Sequence, residues 1–240
     1  MFNFKGKKVL VTGGTRGIGY QIAKEFARYD AHVVITGTSE EFEGDSILKY
    51  EQLVVNNNNQ WYNDIEYIVK KYNGFDICIN NAGINKISNI DSVELKNIQE
   101  IILVNLTMPI YLTSVVSKYM IKNKRGYIIN IASVFGVVSR SGRNPYTASK
   151  SGLIGATKTI ALDLAKYNIL VNCISPGFID TELTSKILGK TGIDEVVSKI
   201  PLGRLGRVED ITPLVLFLCS HLNTYITGQN FIIDGGFSIE

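Results

Sequence analysis

Six short apolar runs, VLVT, VVIT, DICI, YIINI, ILVNCIS and NFIID, recur along the 240 residues, and none alternates apolar with polar as a half-exposed sheet would. A strand that is apolar throughout is covered on both faces, the habit of a parallel sheet. Strands are expected at about 7–12, 32–37, 52–55, 75–79, 126–132, 169–174 and 229–233, bounded by Gly, Asn, Asp or Pro. Helical patterns fill the gaps at about 17–29, 61–72, 92–122, 146–166, 181–198 and 208–220. This alternation predicts an α/β fold: a doubly wound, Rossmann-type seven-stranded parallel sheet with helices on both faces. No repeat or Pro-rich linker divides the chain, so 1–240 reads as a single domain. The stretch Thr38 to Gln52 is near the minimum for a parallel crossover, so any helix there is short.

Composition excludes several classes of function. The net charge is only +3, and charges of both signs are interspersed, which argues against a nucleic-acid or membrane surface. Cys78, Cys173 and Cys219 are dispersed in apolar runs, unlike a disulfide framework or a zinc site. His32 and His221 form no ligand-spaced cluster. The first residues carry no apolar leader, and Asn105, Thr107, Pro109 and Thr113 interrupt the apolar segment 101–117. A soluble cytoplasmic protein is expected.

The first strand runs into Gly13-Gly14-Thr15-Arg16-Gly17-Ile18-Gly19 and then a helix. Such a junction is an anion site, because glycines admit close approach and the helix N-terminus offers unpaired N–H groups. A dinucleotide pyrophosphate fits it. An acidic residue ending the second strand would select NAD(H) by binding ribose hydroxyls. Here that strand ends Gly37-Thr38-Ser39. Arg16, Thr38 and Ser39 suit a 2′-phosphate, so NADP(H) is expected over NAD(H). Glu40 and Glu41 oppose that choice unless they face solvent, as carboxylates at a helix start do.

Tyr146 and Lys150 are spaced i, i+4, on one helix face just after Pro145. A nearby ammonium favours a phenolate, so the pair has the makings of an acid–base device, although alone it would pass as a solvated pair. Ser133 ends the fifth strand, where ligand crevices of open α/β sheets lie. Asn80, Asn81, Ala82 and Gly83 end the fourth, and Asn105 is a polar residue amid Ile, Leu and Val.

Over its whole length the chain resembles the short-chain dehydrogenases/reductases, through TGGTRGIG (12–19), NNAG (80–83), Asn105, Ser133, YTASK (146–150), SPGFIDT (175–181) and YITGQNFIIDGG (225–236). The resemblance implies a hydride transfer between NADP(H) and a ketone or secondary alcohol, without metal. Tyr146 is then the general acid of reduction, and Ser133 binds the reacting oxygen. Lys150 holds the nicotinamide ribose and lowers the Tyr146 pKa, and Asn105 holds a relay water. Gly13, Thr15, Arg16, Gly17, Ile18 and Gly19 cradle the phosphates. Asn81, Ala82 and Gly83 line the adenosine side, Asn57 is the best-aligned adenine neighbour, and Pro176, Gly177, Ile179 and Thr181 hold the carboxamide.

Within that family the segments RGIG, SGLIGATK, PGFIDTELT, PLGRLGRVEDI and YITG look most like 3-oxoacyl-acyl carrier protein reductases. A 3-oxoacyl thioester is therefore one expected substrate, and a sugar or small ketone another. Lys118, Lys122, Lys124 and Arg125 are the candidate docking cluster for an acidic carrier protein. Residues 181–207, with Gly189, Gly192 and Gly203, read as a substrate lid. Helix 146–166 is poor in charge on several faces, so a homo-oligomer, tetramer or dimer, pairing across it and helix 92–122 is expected. The competing readings are an NAD-dependent alcohol dehydrogenase and a catalytically silent dinucleotide-binding regulator.

Overall fold

Successive side chains of a strand point to opposite faces, and the first strand buries both. In β1 (Lys8–Val11), Val9 and Val11 enter one apolar layer and Leu10 the other. The same division holds in β2 (His32–Gly37), where Val33 and Ile35 oppose Val34, and in β5 (Gly126–Ile131), where Ile129 and Ile131 oppose Ile128. The computed structural model describes residues 2–240, the side chain of Leu183 excepted. With β3 (Lys49–Gln52), β4 (Ile77–Asn80), β6 (Ile169–Pro176) and β7 (Asn230–Ile233), the strands form one parallel sheet in the order β3-β2-β1-β4-β5-β6-β7. The winding reverses between β1 and β4, which opens a crevice at their carboxyl ends.

Helices cover both faces. On one lie α1 (Gly17–Arg28), through Ile22 and Phe26, and α7 (Val208–Leu218), through Val215 and Leu218. On the other lie α2 (Trp61–Lys71), through Ile65 and Val69, α4 (Met108–Asn123), through Leu112 and Met120, and α5 (Asn144–Ala165), through Ala161 and Leu164. The helical stretch Leu95–Asn123 is long and apolar enough to cross a membrane by length and composition; its apolar side, with Leu112, Val116 and Met120, lies on the sheet. A third apolar cluster, Val134, Phe135, Phe178, Val196 and Ile200, packs α6 (Glu182–Val197) over the end of the sheet.

Four local expectations need correction. β3 occupies Lys49–Gln52, not 52–55: an edge strand keeps polar side chains, and the apolar Leu48 and Leu53 plug the core at its two ends. No helix forms between β2 and β3, so Glu40 and Glu41 are exposed in irregular chain and cap nothing. The helix expected at 92–122 is α3 (Leu95–Ile102), a π-type turn over Leu103–Thr107, and α4. The helix expected at 181–198 is broken at Gly189, whose φ of 62° and ψ of −178° end regular winding.

Candidate active site at the carboxyl edge of the sheet

The glycine turn is locked to the end of β4. The buried Thr12 hydroxyl accepts from the backbone N–H groups of Asn81 (3.0 Å) and Ala82 (3.1 Å). The Asn81 amide donates back to the carbonyls of Thr12 (2.9 Å) and Gly13 (3.0 Å). Gly13 has φ +63°, and a Cβ there would lie 3.0 Å from Ala82 Cα. Gly17 has φ +56°, and a Cβ there would face Thr181 Cγ2 at 3.6 Å. Thus the turn, Ala82 and the cap of α6 meet in one crevice. Arg16 caps α1 without a side-chain bond, and no acidic residue sits in the first turn of that helix. The first N–H groups of α1 are therefore left for an anion, and the glycines leave it room, which fits a dinucleotide pyrophosphate.

At the rim, Arg16 lies 3.7 Å from Glu182, both side chains being exposed. Thr38 and Ser39 are exposed, and their carbonyls accept from Gln52 and Tyr50. Asn57 lies in the turn that follows the carboxyl end of β3. With β3 ending at Gln52, it sits at the exposed tip of a turn held by its own neighbours, Asn58 N–H to Asn56 (2.8 Å) and Asn56 N–H to Asn59 (3.2 Å), while the Asn59 amide donates to the Val54 carbonyl. At the opposite wall, Pro176 ends β6, Ile179 bridges Gly206, and Thr181 caps α6 by accepting from Thr184 N–H at 3.3 Å.

Ser133 follows β5 and accepts from Phe135 N–H at 3.2 Å. Tyr146 and Lys150 lie on the first turns of α5, with the Lys150 ammonium 5.8 Å from the Tyr146 ring centre. Lys150 is 4% exposed, and its ammonium donates to the Ile131 carbonyl at 2.8 Å. Burial drives its pKa down to about 8. Burial also pushes the Tyr146 phenol above its ordinary value, opposed by a hydrogen bond with Ser133 and by the charge of Arg143. Lys150 and the Asn105 amide oxygen would both lie 3.4 Å from a Cβ on Gly83, which ties the β4 end to the same site.

Asn105 is fully buried in the π-type turn. Its amide oxygen accepts from Ile84 N–H (2.8 Å), and its nitrogen donates to the Ile84 carbonyl (2.9 Å) and Ser149 Oγ (3.1 Å). The side chain thus fastens the β4 loop to α5. Sequence reasoning overlooked Thr12 as the hub of the turn. It also missed Arg140 and Arg143, although two arginines within four residues of loop, between Ser133 and Tyr146, were a signal. An open recess of about 700 Å³, lined by Asn89, Ile90, Asp91, Ser139, Arg140 and Asn144 among others, borders this loop and includes none of the four chemical side chains.

The basic cluster Lys118, Lys122, Lys124 and Arg125 is exposed, but it ends α4 and precedes β5. Ser133 lies beyond the other end of β5, so the cluster sits at the opposite edge of the sheet, a strand length of roughly 20 Å away. It is not at the mouth of this site.

A doubly wound sheet, a glycine-rich phosphate cradle at its switch point and a Ser–Tyr–Lys set beside it define a dinucleotide-binding oxidoreductase. Residues 13–238 match the family model described as enoyl-(acyl carrier protein) reductase. The 3-oxoacyl-[acyl-carrier-protein] reductase of Chlamydia pneumoniae is 39% identical over 241 residues, covering 96% of each chain. Among solved structures, the ligand-free aldohexose dehydrogenase of Thermoplasma acidophilum superposes with a TM-score of 0.92 at 31% identity, over 100% of this chain and 97% of that one. The gluconate 5-dehydrogenase of Burkholderia cenocepacia, in complex with NADP and tartrate, gives 0.90 at 29% identity, over 100% and 98%. The chain belongs to the short-chain dehydrogenase/reductase family and is an NAD(P)-dependent oxidoreductase.

Proposed function

We propose that the protein is an NADPH-dependent ketone reductase, a single domain in which residues 181–207 close over the substrate. The observation that carries this reading is a half-buried Tyr146 and a buried Lys150 gathered beside Ser133, at the crevice formed by the glycine turn. Bound NADPH would supply the hydride to the carbonyl carbon. A phenol whose pKa is raised by burial is protonated at neutral pH, so Tyr146 donates the proton to the forming alkoxide. The Ser133 hydroxyl steadies the charge that develops on that oxygen. Lys150, with one donor spent on Ile131, has two left for ribose hydroxyls. Asn105 acts by position, because Ile84 and Ser149 occupy its amide.

Preference for NADPH is supported by Arg16, Thr38 and Ser39 at the rim, by a β2 with no carboxylate at its end, and by the NADP held by the Burkholderia relative. Asn57, in the turn after β3, is the adenine neighbour in this reading. Relatives' names put 3-oxoacyl thioesters among the substrates to assay, beside sugar-derived and small ketones. A homo-oligomer pairing across α4 and α5 is supported by Leu162, 79% exposed on α5, and Ile110 on α4. A cytoplasmic location is supported by three free, buried cysteines.

Titrating the purified protein with NADPH and NADH, then following NADPH oxidation with an acetoacetyl thioester, a keto sugar and a small ketone, tests the reading. Turnover with NADPH is expected. Stronger binding of NADH overturns the cofactor assignment, and tight NADPH binding without turnover favours a regulator.

A further inference from the structure

Two cations are buried among the described residues, Lys150 and Arg143. The chemistry above absorbs Lys150 but uses only the charge of Arg143, felt by Tyr146, and gives its N–H fork no partner. Arg143 is 5% exposed and caps α5, its backbone carbonyl accepting from Thr147 N–H at 2.7 Å. Its guanidinium lies 5.4 Å from the centre of the Phe135 ring. Among the described residues no carboxylate pairs with it, and no acceptor takes a hydrogen bond from its N–H groups. Its titratable neighbours are the Tyr146 phenol, neutral at pH 7, and a second cation, Arg140, which is itself paired with Glu195 at 3.2 Å.

A ring satisfies the face of a guanidinium but not its edge, where five N–H donors point outward in a fixed fork. The Arg143 nitrogens are not among the fully buried polar atoms left without a partner, so that edge meets solvent although the residue is 5% exposed, and an anion there exchanges water for charge-assisted contacts. The place is telling. Arg143 stands three residues before Tyr146, and Phe135 two residues after Ser133, so the guanidinium is held between the two segments that grip the reacting oxygen. Phe135 and Tyr146 belong to the apolar cluster closed by Phe178, Val196 and Ile200.

We propose that Arg143 is the anion-binding residue of the substrate pocket, and that the ketone reduced here carries a carboxylate near its carbonyl. This rests on the reductase reading and narrows it. The planar fork matches a carboxylate in bidentate fashion and leaves a neutral thioester chain with nothing to offer it. Arg143 sets specificity; the proton and hydride steps remain with the groups already assigned.

The test uses the full chain with NADPH and matched substrates: acetoacetate against acetoacetamide, 5-ketogluconate against L-sorbose, and acetoacetyl-N-acetylcysteamine as the neutral thioester. Wild type is expected to favour the acid of a matched pair by about 10- to 100-fold in kcat/KM. Arg143→Gln should bring that ratio to within about threefold of unity, with the loss in KM rather than kcat, and Arg143→Lys should retain an intermediate ratio. Equal use of acid and neutral partners by wild type overturns the proposal, and this comparison needs no variant to fold. An acid preference that survives Arg143→Gln overturns it as well. NADPH oxidation with none of these ketones instead removes the reductase reading beneath it.

Discussion

Gly19→Ala should damage the phosphate cradle through one defined collision. A Cβ at this position falls inside van der Waals contact with the Asn81 amide nitrogen and 2.6 Å from the Gly13 carbonyl oxygen. Neither neighbour yields cheaply. The carbonyl belongs to the turn itself, and the amide is held by the Thr12 and Gly13 carbonyls at 2.9 and 3.0 Å. Admitting the methyl requires the amide to swing out, losing both hydrogen bonds, at about 1 kcal/mol each. A strained rotamer or a widened turn adds about 1 kcal/mol. The total of about 2–3 kcal/mol corresponds, at roughly 2–4 °C per kcal/mol for a domain of this size, to a Tm lower by about 4–12 °C. Because the displaced groups shape the pyrophosphate site, the Kd for NADPH should rise by about 10- to 100-fold. Thermal melts and a fluorescence titration read both. In a double-mutant cycle the costs of Gly19→Ala and Asn81→Ala should sum to more than the double variant loses, since methyl and amide claim the same space. Unchanged Tm and unchanged Kd in Gly19→Ala, or strict additivity, refutes the account of the turn.

Tyr146→Phe should lower kcat by about 10²- to 10⁴-fold while leaving the NADPH titration near wild type, and near-normal turnover removes Tyr146 as the acid. Lys150, with its pKa near 8, is an ammonium below that pH and loses its charge above it, so kcat/KM for reduction should fall as pH rises through about 8. Lys150→Arg should abolish that alkaline limb, and a limb unmoved in this variant assigns it to another group. Asp210, lowered to about 2 chiefly by Arg204 and by the Arg207 N–H it caps, favours the fold only when ionised. Asp210→Asn should cost about 1 kcal/mol at pH 7, and the gap to wild type should be full above about pH 4 and close as pH falls through about 2. A gap that persists in urea melts at the acid end contradicts this.

The strands were legible because both faces of a parallel sheet are dry, so that VLVT or YIINI needs no alternation to be read. The same signal misled at β3. There Leu53, Val54 and Val55 attracted the assignment, yet the residues that pair with β2 are Lys49 to Gln52, because an edge strand can expose one side. Asn57, inferred by its distance from a strand end, inherits the error in that end and sits in an exposed turn beyond Gln52. Asn105 was legible as an oddity among apolar residues. The π-type turn that seats it was not, because one extra residue in a turn leaves the amphipathic period nearly unchanged. Arg143 was the least legible. In a loop reading Ser-Arg-Ser-Gly-Arg, two arginines look alike, and only the packing of Phe135 against α5 buries one and leaves the other to an exposed pair with Glu195.

Those two arginines also bear on how the site closes. Glu195 lies on α6 beyond the break at Gly189, so the Arg140–Glu195 pair joins the loop that carries Arg143 to the segment that covers the pocket. The pair is exposed, and its contribution to stability is small, about 0–1 kcal/mol. Its consequence is geometric. Any movement of α6 away from the sheet draws on the same loop that positions the guanidinium three residues ahead of the proton donor. A carboxylate gripped by Arg143 therefore supplies a reason for the loop to stay seated, and through Glu195 for the cover to stay down, at the moment when Tyr146 must be shielded from water to deliver its proton to the substrate.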